Sequence, residues 1–383
     1  MHMLEDLFLL DPEITFLNFG SFGACPKEIF DDYQQWQLRL EREPVQFIIR
    51  DGYEFLDLSR KALSDYIGCA YDDIIFTTNP TYAINTIVNS LPLQTGDEIL
   101  TTDLEYGAMD RTWEYHALRK GWTYKKASIP LPIQSKQSFL EAFWQGFNSK
   151  TKVVFISQIT SSTGLILPVE EVCKEAKARG LITIVDGAHV PGHIPLNLAE
   201  LEADLYTGAC HKWMMTPKGC SFMYASKPFQ EMLDPLVISW GYKSDTPSGS
   251  LYFDYHQFNG TRDFSAFLTI PASMHFREKY DWESVSARCR ELVQSNVQRT
   301  ATFFQTEPLS ADLALYGQMC STPIQCANPA FLQRELFERF KIEIPIMQHN
   351  GQSYIRFSIQ AFNTESQIDA LFDSMDHLKN LWG

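Results

Sequence analysis

The stretch richest in chemistry is "TGACHKW", residues 207–213, which sets a lysine directly after a histidine among small residues. Lysine is almost never fully buried unless it is paired or reacted. Lys212 is therefore either a stray surface charge or a working amine. Upstream, the apolar run "LITIVDGAHVPG" ends on Asp186. A carboxylate at the end of a buried strand is costly unless it is compensated. An arginine could compensate it, or the next turn, or a ring nitrogen of a cofactor held above it. His189 follows in a loop rich in Gly and Pro, and His193 follows four residues later. That is the spacing of a helical metal pair, but Pro191 and Gly192 lie between the two histidines, so no metal is expected. In "IIFTTNPTYAINTIV" a strand runs into Asn79 as a candidate N-cap, with Pro80 at the first helical position. Thr81 and Tyr82 then offer backbone N–H groups at a helix N-terminus, suited to a phosphate. Taken alone, the same residues describe a capped helix with no ligand.

The three features together describe a pyridoxal phosphate site. A lysine bonds the cofactor aldehyde as a Schiff base, an acid keeps the pyridine nitrogen protonated, and a helix N-terminus holds the phosphate. A dinucleotide-dependent dehydrogenase would need a Gly-rich turn after its first strand, and "TTNPTYAIN" has no glycine.

The elements that must carry these residues read as follows. Strand-like runs at 74–78, 153–157 and 181–186 alternate with helical stripes. One stripe is Ile84, Ile87, Val88 and Leu91; another is Val169, Val172, Cys173 and Ala176, stopped by Gly180. Such alternation predicts an α/β fold with a mostly parallel central sheet and right-handed crossovers. Ligands collect at the C-terminal strand ends of such a sheet. Past residue 265, helices at 281–305 and 329–340 alternate with short strands at 342–346 and 353–359. The expected division is an N-terminal arm and helix over 1–50 that packs on the small domain, a large domain over 51–265, and a smaller α+β domain over 266–383. The net charge of -15 argues against a nucleic-acid partner, and no apolar run spans a bilayer. The N-terminus lacks a basic leader, and the eight cysteines are scattered without a C-x-x-C pair. A cytoplasmic protein with free thiols is expected.

At this level of detail the chain resembles the class V aminotransferase family of fold-type I pyridoxal phosphate enzymes, in its isopenicillin N epimerase-like branch. The resemblance rests on "LNFGSFGACP" (17–26), "TTNPTYAIN" (77–85), "DLEYGAMDRTW" (103–113), "SSTGLILPV" (161–169), "DGAHVPG" (186–192), "DLYTGACHKWMMTPKG" (204–219), "NGTRD" (259–263) and "IRFSIQAFNTESQID" (355–369). It implies Lys212 as the Schiff-base lysine, Asp186 under the pyridinium nitrogen, and His189 on the cofactor's phenolic oxygen. Tyr106 would stack on the ring. Thr81, Tyr82 and His211 would bind phosphate, with Gly260 and Thr261 reaching the phosphate of the neighbouring subunit of a homodimer. Arg356 would clamp the substrate α-carboxylate, and Asn18 and Ser21 would line the substrate side. The chain departs from the family at Ala209, where relatives often carry a polar side chain; Thr207 is the candidate replacement.

The resemblance implies abstraction of a Cα proton, after which three outcomes diverge. Protonation from the opposite face gives an epimerase, loss of a β-substituent gives a C–S β-lyase, and protonation at the cofactor gives an aminotransferase. A cysteine desulfurase is disfavoured, because "KIEIPIMQHNGQSYIRFS" carries no cysteine ahead of Arg356. A non-catalytic pyridoxal phosphate-binding protein is the alternative of a different class.

Overall fold

Continuous β-branched and aliphatic runs build the centre of the molecule, because strands buried on both faces need no polar alternation. In the computed structural model, which describes residues 4–257 and 259–382, these runs are part of twelve strands. Residues 1–3 of the arm, Phe258, and Gly383 of the C-terminal segment lie outside the described residues. In chain order the strands are β1 (Thr15–Phe16), β2 (Ile74–Thr77), β3 (Glu98–Thr102), β4 (Thr123–Ala127), β5 (Thr151–Ser157), β6 (Ile182–Gly187), β7 (Leu205–Ala209), β8 (Ser221–Ala225), β9 (Met319–Ile324), β10 (Ile342–Glu343), β11 (Ile346–His349) and β12 (Gln352–Ser358).

Seven strands form one sheet in the order β2-β8-β7-β6-β5-β3-β4. Only β8 runs against the others. Successive residues enter opposite cores: Val154, Ile156 and Val185 on one face, Val153, Phe155 and Ile184 on the other. Because β2, β3, β5, β6 and β7 all point the same way, their C-terminal ends share one edge of the sheet.

Helices cover both faces. The helix α1 (Pro80–Ser90) starts at Asn79, whose side chain accepts the Tyr82 amide, and buries Ile84, Ile87 and Val88. The helix α2 (Gly107–Lys120) starts at Tyr106. The helix α3 (Val169–Ala178) buries Val169, Val172, Cys173 and Ala176 and is followed by Gly180 at φ +69. The strand β6 begins two residues later.

A second, three-stranded sheet is antiparallel, in the order β11-β12-β9. The expected strand at 342–346 is two strands, β10 and β11, interrupted at Ile344 and Pro345. Proline has no N–H for a ladder, so the run breaks there. β10 pairs with β1 of the N-terminal arm, and Ser358 N donates to Leu17 O at 2.8 Å. β11 and β12 meet at Asn350 and Gly351, both left-handed, with φ of 49° and 78°. A two-residue hairpin of this hand suits the strand twist. The hairpin tip docks on the large sheet: Asn350 Nδ2 donates to Asp103 O at 3.1 Å, and His349 contacts the same carbonyl.

Candidate active site

The shared edge of the sheet opens into a cavity of about 180 Å³. Its walls include Asp186 and His189 from the end of β6, Lys212 from the turn after β7, Ser157 from β5, and Thr81 from α1. These residues lie apart along the chain, and the parallel sheet brings them to one place.

The turn that carries Lys212 is held from several sides. The Cys210 and His211 amides both donate to Cys220 O at 3.1 Å, which anchors the turn to β8. Gly23 backs onto it with φ +65, where a Cβ would stand 2.8 Å from Lys212 O and overlap His211 O. The preceding strand is equally crowded: a Cβ on Gly187 would occupy the place of the Tyr206 phenol, whose hydroxyl donates to Gln158 at 2.9 Å. Only glycine fits at either position.

Lys212 Nζ lies 3.1 Å from His189 Nε2. Burial, with Arg356 nearby, lowers its pKa to about 8 against the opposing pull of Asp186. Trp213 Nε1–H donates to His189 Nδ1 at 3.4 Å. An indole nitrogen can only donate, so Nδ1 is the acceptor and the neutral ring carries its proton on Nε2, facing Lys212. Burial also holds the His189 pKa well below its usual value, with Lys212 contributing. His193 is spent elsewhere. Its Nδ1 donates to His189 O at 2.9 Å, its Nε2 accepts the Gln318 amide, and its ring stacks on Trp213 at 4.0 Å. Among the described residues, no group of three or more His, Cys, Asp or Glu is placed to hold a metal.

Asp186 is 3% exposed. Its hydrogen bond is from the Ala188 amide to Oδ1, at 2.9 Å. Burial pushes its carboxyl up, and the Ala188 amide and Lys212 pull it back only in part. No arginine pairs with it among the described residues. A buried carboxylate of this kind wants a cation that the chain does not supply.

Arg356, on β12, is the complement. It is 1% exposed; Nη1 donates to Ser161 O at 2.5 Å, Nη2 donates to Ser21 Oγ at 3.1 Å, and Nε has no partner. Both acceptors are neutral, and burial lowers its pKa to about 10. A buried guanidinium without a carboxylate calls for an anionic ligand. Ser21 and Ser161 line the cavity directly in front of it. Ser21 in turn donates to Asn18 Oδ1 at 2.5 Å, and Asn18 Nδ2 donates to Glu343 at 2.9 Å. Asn18 thus stands one bond behind the wall and orients Ser21.

Several expected positions differ. The Tyr82 amide is not free, since the Asn79 side chain takes it at 2.8 Å; Thr81 faces the cavity beside Asn79 and Pro80. Thr207 sits in β7 beside Asp186, fully buried, and its hydroxyl donates to Phe222 O at 2.7 Å; it does not line the cavity. His211 does line it, with Nδ1 donating to Cys220 O at 2.8 Å and burial lowering its pKa to about 4. Tyr106 borders the cavity at 46% exposure. Gly260 and Thr261 lie elsewhere, in a groove of about 550 Å³ with Ile49 and Trp240. Ser157, Ser161, Trp213 and Glu105 were missed. Glu105 was open to the reasoning that found Asp186, since it too is an acid just past a buried strand, whereas Ser161 acts through a backbone carbonyl that has no sequence signal.

The profile of the family described as Aminotransferase class-V matches residues 33–371. An isopenicillin N epimerase of Amycolatopsis lactamdurans is 32% identical over 385 residues, covering 96% of each chain. A probable chloroplastic L-cysteine desulfhydrase of Arabidopsis thaliana is 26% identical over 407 residues, covering 96% of this chain and 83% of the plant protein. Among solved structures, the apo cysteine desulfurase of Thermococcus onnurineus NA1 superposes with a TM-score of 0.83 at 20% identity, covering 100% of this chain and 99% of that one.

Proposed function

The chain belongs to the class V aminotransferase family, and from that premise we propose that it is a pyridoxal phosphate-dependent enzyme that breaks the Cα–H bond of an amino acid, as an epimerase or a C–S β-lyase. One observation carries the reading: a lysine amine and a carboxylate without an ion-pair partner face one cavity, with an unpaired arginine behind its wall.

The residues fit the cofactor. Lys212 would anchor it, Asp186 would meet the ring nitrogen, and the Nε2–H of His189 would donate to the phenolic oxygen. Tyr106 would cover the ring, while Thr81 and His211 would face the phosphate. When bound, the cofactor supplies an electron sink for the pair left when the Cα–H bond breaks. The chain does the rest. The Trp213 bond fixes the His189 tautomer, and burial favours the neutral form of the Lys212 amine, which makes it a competent base at Cα. Arg356 holds the substrate carboxylate through a planar fork and so presents the Cα hydrogen to that amine.

Persulfide transfer has less support. Among the described residues no cysteine lines the cavity, Cys320 is buried in β9, and the stretch before Arg356 is a tight hairpin. Cytoplasmic residence is supported by eight free cysteines, and no helix among the described residues is long and apolar enough to cross a membrane. A homodimer is supported by the groove at Gly260 and Thr261, whose rim exposes Ile49 and Trp240. The seven-stranded and three-stranded sheets support a large domain over 51–265 and a small one over 266–383, with the arm over 1–50 tied to the latter through β1.

The test is incubation with L- and D-amino acids and cysteine conjugates in deuterated water. Inverted stereochemistry with deuterium at Cα marks the epimerase, pyruvate with a released thiol marks the lyase, and a keto acid alone marks the aminotransferase. A visible cofactor band with no exchange from any amino acid would leave a binding protein.

A further inference from the structure

Directly past β3, Glu105 is buried at 2% exposure beneath the site. Its Oε2 accepts from Ser157 N at 3.0 Å and from Ser157 Oγ at 2.6 Å, and its Oε1 accepts from Thr102 Oγ1 at 2.6 Å. It has no cationic partner among the described residues. Ser157 is the β5 residue in register with Asp186, and it lines the cavity. Tyr106 follows Glu105 in sequence and caps α2. A carboxylate that accepts three bonds and donates none is suited to its charged form.

We propose that Glu105 is a positioning residue for the ring site: it locks the turn carrying Tyr106 onto Ser157, and it stands as a second negative charge behind the carboxylate meant for the ring nitrogen. The inference rests on the pyridoxal phosphate reading above. Burial, with Asp186 adding to it and Ser157 and Thr102 resisting, raises the Glu105 pKa to about 7, so the negative charge is carried above that pH. The other ionisable groups around it are Tyr124 from β4, which is tied to Asp110 at 2.8 Å, and, past Asp186, Lys212 and His189. None of these is a cation in direct contact with Glu105, so its charge acts through Ser157 and Asp186.

The experiment uses the full chain loaded with pyridoxal phosphate and reads the visible cofactor band against pH, together with the cofactor's dissociation constant. Removing a nearby negative charge disfavours the protonated cofactor. Glu105→Gln therefore moves the band midpoint to lower pH by about one unit and weakens cofactor binding at least tenfold, while Glu105→Asp, which keeps the charge, returns the midpoint toward wild type. Ser157→Ala removes a donor that favours the charged form of Glu105, so the carboxyl stays protonated to higher pH; it gives a smaller shift in the same direction and serves if Glu105→Gln does not fold. A midpoint unchanged in the folded Gln variant, or in Ser157→Ala in its place, overturns the proposal, even if binding weakens, because a loosened turn would do only that. A wild-type protein with no visible band would instead overturn the reading of the site itself.

Discussion

The floor of the cavity and the wall proposed to face substrate are assembled differently. The floor comes from two neighbouring strand ends: Asp186 lies at the end of β6 with His189 just past it, and Lys212 follows β7. The wall joins three distant segments, since Arg356 bonds Ser161 and Ser21 across separations of 195 and 335 residues. A sheet edge fixes the floor through backbone pairing on both sides. The wall depends on how the arm, a large-domain loop and β12 meet. The floor can therefore hold one cofactor chemistry while the wall varies with substrate, which is how sites diverge on a shared fold.

Substitutions should separate the two regions, and the largest effect belongs to the floor. Lys212→Ala should lower turnover by at least about 10³-fold, near the upper end of what a positioned base contributes. It should also lose the covalently anchored cofactor, visible as a loss of the absorption band after gel filtration. Retained turnover would break the comparison at once, because the floor would then not be where bonds are broken.

The wall should behave otherwise. Arg356→Lys keeps a positive charge but loses the fork, at a cost of about 2 kcal/mol in carboxylate recognition, or roughly 30-fold in KM. The cofactor band should be unchanged. A variant that loses the band along with substrate affinity would mean that floor and wall are one unit.

A pH experiment sharpens the account of the floor. In cofactor-free protein the Lys212 amine has its pKa lowered to about 8 by burial, with Arg356 second. The neutral amine is the species that captures an aldehyde, and its fraction grows as pH rises. Capture of pyridoxal phosphate should speed up about tenfold per unit below pH 8 and level off above it, as followed by colour development in stopped flow. A plateau reached only near the ordinary lysine pKa would mean that the amine is not desolvated. The same shift bears on stability. Between about 8 and the ordinary 10.5 the unfolded chain holds a proton that the folded chain has released, so cofactor-free protein should gain stability as pH rises through that window.

The contrast also decides what the sequence made legible. The shared placement of Asp186, His189 and Lys212 was readable because each sits at a fixed offset from a buried strand, and strand ends on one edge must converge. Arg356 was readable only through the family resemblance, since nothing local marks which arginine will point at a cavity 195 residues away in sequence. The Tyr82 amide and the Thr207 hydroxyl are engaged elsewhere for one reason: hydrogen-bond capacity is taken up by neighbours the sequence does not show, Asn79 in the first case and the Phe222 carbonyl in the second. The break between β10 and β11 was visible in principle, at Pro345.

The smallest effect expected is also the cleanest probe of the floor. Trp213→Phe keeps an aromatic ring beside His193 and Phe19, whose centroids lie 4.0 and 5.0 Å from the indole, and removes the N–H that meets His189 together with part of the buried indole. The fold should survive, since one neutral hydrogen bond, worth about 1 kcal/mol, and the trimmed indole together stay within the usual range for a core substitution. What changes is the tautomer. Without a donor at Nδ1, the proton of the neutral His189 ring can move there, and Nε2 then turns a lone pair toward the Lys212 amine instead of an N–H. Turnover should fall about fivefold, the equivalent of that 1 kcal/mol. The cofactor band should shift in position without losing intensity, as an oxygen that has lost its donor would require. Equal turnover and an unmoved band would show that the indole holds the ring in place by packing alone, and that the direction of the His189 proton is set from the cofactor's side.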